Sequence, residues 1–368
     1  MSKKLRHVLG ISGGKDSAAL AIYLFQRYPK LEVEYYTCDT GKELDETYQL
    51  IDSLEIYLGR KIKRIVGAPN SHVDPFDHFL KMYGGFLPSS NARWCTKNLK
   101  LAPFEKYVGD DPVVSYVGIR GDEEREGYIS RKTNIQSIFP FRKNIWSEDV
   151  VNKFLSNSNL ELLMALLEKV DVGSVRAKLQ NILLKPLDSG FSQVTKLNSL
   201  LDSGIKETNY LIFEFLKTTA YPLAREIDFP LLENEEVLVR NDIFQILEQS
   251  GVGVPAYYKK RDFEVAGKQG QYARSRSGCF FCFFQQKIEW VWLLEQHPEK
   301  FEKAMSYEDE NAGFTWNQNE SLKELMLPDR VKRIKEDYLR KKIAKNNSTY
   351  LVDILDDAES EGCASCFI

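Results

Sequence analysis

The sequence predicts an α/β fold: a doubly wound, mostly parallel sheet carrying an inserted helical bundle and a helical C-terminal region. Three observations predict it. Apolar strand-like runs alternate with helix-patterned stretches between His7 and Tyr128. A Leu-rich, Gly-poor segment then reads as helix from 147 to 225. Helical patterns return around a Cys-x-x-Cys pair further on. At 368 residues and 43% hydrophobic content the chain can build one large core or two smaller ones.

Composition excludes some classes. A formal net charge of -3 does not announce a nucleic-acid binder, although a local basic face stays open. No run of about 18 apolar residues exists, so no membrane-spanning helix is expected. Lys3, Lys4 and Arg6 lead straight into the first strand, without the apolar centre of a signal peptide. A cytoplasmic location is expected. In a reducing compartment the six cysteines serve as metal ligands or redox groups rather than disulfides.

The elements follow in order. His7–Ile11 (HVLGI) reads as a buried strand and Ser17–Tyr28 as a helix. Between them Ser12, Gly13, Gly14, Lys15 and Asp16 turn strand into helix. Glycines there let backbone N–H groups approach a ligand, and the helix N-terminus favours an anion. Lys15 adds charge, and Ser12 and Ser17 add hydroxyl donors. A second strand, Val33–Thr37, ends at Asp39, Thr40 and Gly41, ahead of a helix over 43–58. Ligands of doubly wound sheets sit beyond the carboxyl ends of strands, which brings these residues beside the first turn. From Val114 a strand runs into a polar loop with Gly118, Arg120, Asp122, Glu123 and Arg125. Arg120 suits a bidentate contact with phosphate or sulfonate oxygens; a surface ion-pair network is the plainer alternative.

Cys279 and Cys282 form a Cys-x-x-Cys among four phenylalanines, preceded by Arg274 and Arg276. Alone, the pair fits a redox couple, half a zinc site or part of a cluster. Cys363 and Cys366 repeat the spacing on an acidic tail. Cys38 reads as a small buried residue near the first turn.

Ser12–Ser17 is not the G-x-x-x-x-G-K-[ST] loop of nucleotide hydrolases, because Asp16 follows Lys15. It resembles the S-G-G-K-D-S signature of the PP-loop ATP-pyrophosphatases. These enzymes grip the pyrophosphate end of ATP and adenylate a substrate oxygen. Phosphoadenosine phosphosulfate (PAPS) reductases share the loop and use it on a different nucleotide. "DTGKELDETY" from Asp39 resembles their D-T-G-x-x-x-x-E-T segment, with Leu44-Asp45 replacing Phe-Pro. "ARWCTKNLKLAP" from Ala92 resembles their Arg-Cys-Cys…Lys…Pro-Leu block. Arg93, Cys95, Lys97 or Lys100, and Pro103 take the matching places, and Trp94 replaces one cysteine. "GIRGDEER" resembles G-I-R-x-x-E-S-x-x-R.

The resemblance spans 1–142 and 226–300 and implies an adenine nucleotide alpha hydrolase-like fold. Its look is that of the iron–sulfur ATP-pyrophosphatases of DNA phosphorothioation systems, which belong with phage defence. It implies ATP (or PAPS or adenylyl sulfate), Mg²⁺ near Asp16 and Asp39, and a [4Fe–4S] cluster on Cys95, Cys279 and Cys282, with zinc the alternative. The fourth position stays open: Cys363 or Cys366 completes the cluster, relays sulfur or has no role, or the iron is left open to hold a sulfide. Lys15 and Arg120 stabilise transition-state charge, with Asp16 and Arg93 beside them among the catalytic residues. Partners follow: a DNA or tRNA acceptor, a sulfur donor such as a cysteine desulfurase, and other defence subunits, with no membrane. The other readings are a phosphosulfate reductase making sulfite, a tRNA-thiolating enzyme, and a non-catalytic nucleotide-sensing subunit.

Four regions result: a nucleotide-binding core (1–146), an inserted helical subdomain (147–225), a C-terminal helical region (226–345) and an acidic tail (346–368). Ser137–Trp146 and Glu226–Tyr258 read as two halves of one interrupted segment. About four helices are expected in the insertion, a helix over 239–251, another over 288–294 and a basic helix over 332–345.

Overall fold

The structure, a computed structural model, describes residues 3–123, 130 and 132–346, the last four as backbone only. Five strands form one parallel sheet in the order β3-β2-β1-β4-β5. They are β1 (Arg6–Gly10), β2 (Val33–Cys38), β3 (Lys63–Ile65), β4 (Val113–Tyr116) and β5 (Ile135–Ile138). Helices α1 (Lys15–Arg27), α2 (Asp45–Leu58) and α3 (Pro75–Met82) come between the first strands. A one-turn helix α4 (Trp94–Thr96), a π-helical turn Lys97–Leu101 and α5 (Ala102–Val108) then lead into β4. This is the expected α/β fold of adenine nucleotide alpha hydrolase-like type. The apolar runs are central strands because both faces are covered; Val8 and Leu9 have no exposed surface.

α1 is buried from Lys15 to Leu24. Ala18, Ala19 and Ala21 let it lie close to its neighbours, and fully burying Leu20 or Ile22 contributes about 2 kcal/mol each. From 148 to 216 the chain is helical: α6 (Glu148–Phe154), α7 (Leu160–Leu167), α8 (Arg176–Leu184), α9 (Gln193–Ser203) and α10 (Ile205–Leu216). Their buried residues, Phe154, Leu163, Leu167 and Phe213 among them, join the same cluster as Leu20 and Ile22 of α1. Polar pins tie the layers: Trp146 Nε1 donates to Asn209 Oδ1 at 2.9 Å, and Tyr23 Oη donates to Asn234 Oδ1 at 3.1 Å. Past the helices the chain returns beside the point where it left. Leu238 N donates to Phe141 O at 3.0 Å, and Asn234 Nδ2 to Pro140 O at 2.7 Å.

The C-terminal region holds α11 (Arg240–Gln249), an antiparallel hairpin β6 (Arg261–Val265) and β7 (Lys268–Tyr272), then α12 (Lys287–Gln296), α13 (Pro298–Met305), α14 (Leu322–Leu325) and α15 (Pro328–Asn346). The hairpin is not anticipated from the sequence. Its turn, Ala266-Gly267, has φ of 50° and 69° at two successive residues, the left-handed pair a two-residue hairpin needs. Pro298 ends α12 and also opens α13, because a proline fits the first helical turn. Along α15, Arg330 pairs with Glu320 and Lys335 with Glu295, so part of its basic character is met within the chain. Among the described residues no helix is long and apolar enough to cross a membrane.

Candidate functional site

The strand order reverses between β1 and β4, and ligands of such sheets bind in the crevice beyond the strand ends at that point. Two loops reach it. Ser12–Gly14 follows β1, and 117–121 follows β4. Gly13 has φ +73°, and a Cβ there would fall 2.1 Å from Thr47 Cγ2, so glycine is required twice over. Gly118 lets the exit of β4 lie against the first turn of α1: its Cβ would meet Asp16 O at 2.9 Å. The two loops are therefore held in one arrangement.

The charges in the crevice are buried and paired. Asp16 lies between Lys15 Nζ (2.9 Å) and Arg120 Nη1 (2.8 Å). Burial pushes its carboxyl up, but Lys15 and Arg120 outweigh burial and hold it below the ordinary aspartate value. Arg120 also meets Asp122 through Nε at 2.9 Å and Glu123 through Nη1 at 2.8 Å. The guanidinium expected to grip an oxyanion is thus engaged by three carboxylates, the nearest partners for a desolvated cation. Asp16 has both oxygens committed to cations. Asp39, by contrast, uses Oδ1 for Gly41 N and Tyr48 Oη.

The loop amides meet side-chain oxygens. Ser12 N donates to Ser17 Oγ at 3.2 Å, Gly14 N to Ser12 Oγ at 3.3 Å and Lys15 N to Tyr258 Oη at 3.4 Å. Tyr257 Oη donates to Gly13 O at 2.9 Å, and Ser277 Oγ lies 2.7 Å from where a Cβ on Gly14 would stand. Tyr257, Tyr258 and Ser277 therefore cover the loop from the C-terminal region. Sequence reasoning missed these roles; the one signal was the bend at Pro255 just before the tyrosines.

The segment after β2 joins the crevice to the cysteines. Phe280 N donates to Lys42 O at 2.9 Å, and Glu43 and Cys279 form an isolated β-bridge. Thr40 Oγ1 contacts Cys279 Sγ at 3.2 Å and donates to Glu43 Oε1 at 2.7 Å. Burial, then the charge of Asp39, raises the Glu43 carboxyl above its usual range. Glu289 holds the preceding turn by accepting from Ser275 N at 2.6 Å.

Cys95, Cys279 and Cys282 line one cavity of about 50 Å³, walled by Phe76, Phe281 and Trp316. Aromatic packing brings the distant blocks together: Phe76 and Phe281 have ring centres 4.4 Å apart, Phe281 and Trp316 4.8 Å. Lys100 also lines the cavity, whereas Lys97 is exposed, so Lys100 is the lysine that faces the thiols. Burial, then Cys282, pushes the Cys95 thiol up to about 11. Burial, then Glu43, raises Cys279 well above its usual value. Three thiols on an apolar wall are a soft donor set of the kind that takes zinc or iron–sulfur groups. Beside them the Gln285 amide is buried with neither end paired. Among the described residues, no three His, Cys, Asp or Glu side chains close around one point as a metal-ion site.

The remaining predicted residues fall as follows. Arg93 is exposed at the cavity rim, 5.1 Å over the Phe284 ring, with Arg276 over the same ring at 5.5 Å. Cys38 Sγ donates to Lys100 O at 3.7 Å, and burial pushes its thiol up to about 12. Arg125, Cys363 and Cys366 lie outside the described residues.

Parts of the chain are similar to known proteins. An uncharacterized protein of Methanocaldococcus jannaschii is 31% identical over 153 residues, 38% of this chain and 30% of that protein. An uncharacterized nin region protein of Escherichia phage lambda, ORF290, is 30% identical over 145 residues, 32% of this chain and 49% of that protein. The matches thus span under a third and about half of these two relatives. Residues 6–169 match the family model of the phosphoadenosine phosphosulfate reductase domain, a match that takes in the loop, Cys95 and Arg120 and stops before Cys279.

Proposed function

We propose that the chain is a nucleotide-dependent sulfur-transfer enzyme. ATP lies with its pyrophosphate end on Ser12–Ser17, and Mg²⁺ is held by its phosphates and Asp39. A phosphate oxygen of a nucleic-acid backbone attacks the α-phosphorus and pyrophosphate leaves; sulfide-level sulfur from a donor then attacks the activated backbone phosphorus and AMP leaves. DNA phosphorothioation is the reaction this describes, with phage defence its setting. One observation carries the reading: the contact between Thr40 and Cys279 at 3.2 Å makes the phosphate crevice and the thiol cavity neighbours. An enzyme that only hydrolysed ATP would have no use for that adjacency.

The residues have distinct tasks. The amides of Ser12, Gly14 and Lys15 exchange their side-chain partners for phosphate oxygens. Lys15 stabilises charge on the leaving pyrophosphate, and Asp16 and Arg120 hold Lys15 in place. Cys95, Cys279 and Cys282 would hold an iron–sulfur cluster, which when bound supplies a centre able to carry sulfur or electrons. Lys100 beside them opposes, without cancelling, the rise that burial gives the Cys95 and Cys279 thiols.

The domain match itself favours a second reading, reduction of an adenylyl sulfate to sulfite. One experiment separates the two. The anaerobically purified chain is given ATP, Mg²⁺ and DNA, or adenylyl sulfate and a thiol reductant. Pyrophosphate release that depends on DNA is expected. Sulfite from adenylyl sulfate without any pyrophosphate from ATP would replace the leading reading by the second.

A further inference from the structure

Among the described residues five cationic side chains are buried: Lys15, Lys42, Arg120, Lys196 and Arg274. Four have their charge met by the chain. Lys15 and Arg120 share Asp16. Lys42 lies between Asp74 at 2.7 Å and Asp77 at 2.8 Å. Lys196 donates to the carbonyls of Leu183 and Lys185, and burial lowers its pKa, a relief open to an amine.

Arg274 is 2% exposed and has no such relief. A guanidinium does not deprotonate in proteins. Among the described residues no carboxylate pairs with it. Its side chain makes one hydrogen bond, from Nη2 to Cys279 O at 3.2 Å, while Nε and Nη1 are buried without a partner. A buried charge with open donors is costly, and such donors are met by water or by a bound group of opposite charge.

The position of Arg274 says which partner. Its backbone N donates to Tyr257 O at 2.9 Å, and Tyr257 in turn donates to Gly13 O of the phosphate loop. On the other side its guanidinium holds the carbonyl of Cys279. Ser277, three residues on, is buried against Gly14. Arg274 thus bridges the phosphate loop and the thiol cavity. Arg120, the other buried guanidinium, is taken up by three carboxylates.

We propose that Arg274 is an oxyanion-binding residue: one of its open guanidinium donors takes an oxygen of the tetrahedral phosphoryl or sulfonyl group of the bound nucleotide at the end that faces the cysteines. A hydrogen bond from a charged N–H to such an oxygen is short and strong. The proposal rests on reading the crevice as an adenine-nucleotide site. It adds a residue outside the region matched by the domain family.

Calorimetric titration of the full chain with AMP, ATP and adenylyl sulfate tests it, on wild type, Arg274→Gln and Arg274→Lys. Arg274→Gln is expected to bind AMP within about twofold of wild type. It should lose about 30-fold or more for ATP if the group is phosphoryl, or for adenylyl sulfate if it is sulfonyl, with Arg274→Lys recovering part. Thermal melting supplies an arm free of nucleotide. Without additives Arg274→Gln should melt no lower than wild type, since it removes an unpaired buried charge. Inorganic sulfate or pyrophosphate should raise the wild-type melting point and not that of Arg274→Gln. Equal stabilisation of both by these anions would overturn the proposal. So would wild-type affinities in Arg274→Gln, or AMP binding lost in step with the rest and a lower melting point. Stabilisation by inorganic anion that needs Arg274, in a chain that binds no adenine nucleotide, would sink the nucleotide reading and leave the Arg274 assignment standing.

Discussion

Asp16→Ala destabilises the folded chain by about 3 kcal/mol, read by urea denaturation at neutral pH. The carboxylate is buried between Lys15 and Arg120, and its removal leaves two desolvated cations facing each other. Arg120 keeps Asp122 and Glu123, which places the loss at the lower end of what breaking a buried pair costs. Asp16→Asn should cost less, because the amide oxygen still accepts one hydrogen bond. The sign with pH follows from the depressed carboxyl. Stability from this group is fully present above the ordinary aspartate range and is lost as pH falls through the lower, folded-state value. The wild-type stability profile should therefore fall on the acid side, and Asp16→Ala should flatten that fall. Inorganic pyrophosphate should stabilise Asp16→Ala more than wild type, since the released cations then have an anion to bind.

Cys279→Ser has the largest expected effect on the thiol cavity. Under the proposed function it removes the visible absorbance and the iron of the anaerobically purified chain. Cys95→Ser and Cys282→Ser should act in the same way, because the three side chains line one cavity. Cys38→Ser should leave both signals unchanged, since Cys38 Sγ is turned to Lys100 O. Iron analysis and a visible spectrum read the outcome. A colourless wild-type chain containing zinc would keep the three-thiol site and remove the cluster from the account. Retained iron in Cys279→Ser would remove Cys279 as a ligand.

The sheet was legible because its strands are short apolar runs bounded by glycine turns and amphipathic helices. The turn from β1 into α1 at Ser12–Gly14 was legible because its glycines sit between an apolar run and a helix-patterned stretch. Cys95 and the Cys279/Cys282 pair could be grouped only by resemblance. What unites them physically is aromatic packing of Phe76 on Phe281 and Trp316, contacts between residues far apart in sequence. The hairpin around Ala266-Gly267 escaped notice because exposed, charged positions dilute its alternation. The environments of Arg120 and Arg274 could not be read from the sequence. A sequence gives both the same charge, and only the fold decides which guanidinium has carboxylates beside it and which has open donors.

In the proposed enzyme the phosphate end of a bound adenine nucleotide meets the thiol cavity. The direct measurement uses an ATP analogue with an iodoacetyl group on its terminal phosphate, added to the metal-free chain, followed by mass spectrometry of the alkylated peptides. Label is expected on Cys279 or Cys95, blocked by excess ATP. Label confined to other cysteines, or label on Cys279 that ATP does not block, would contradict it.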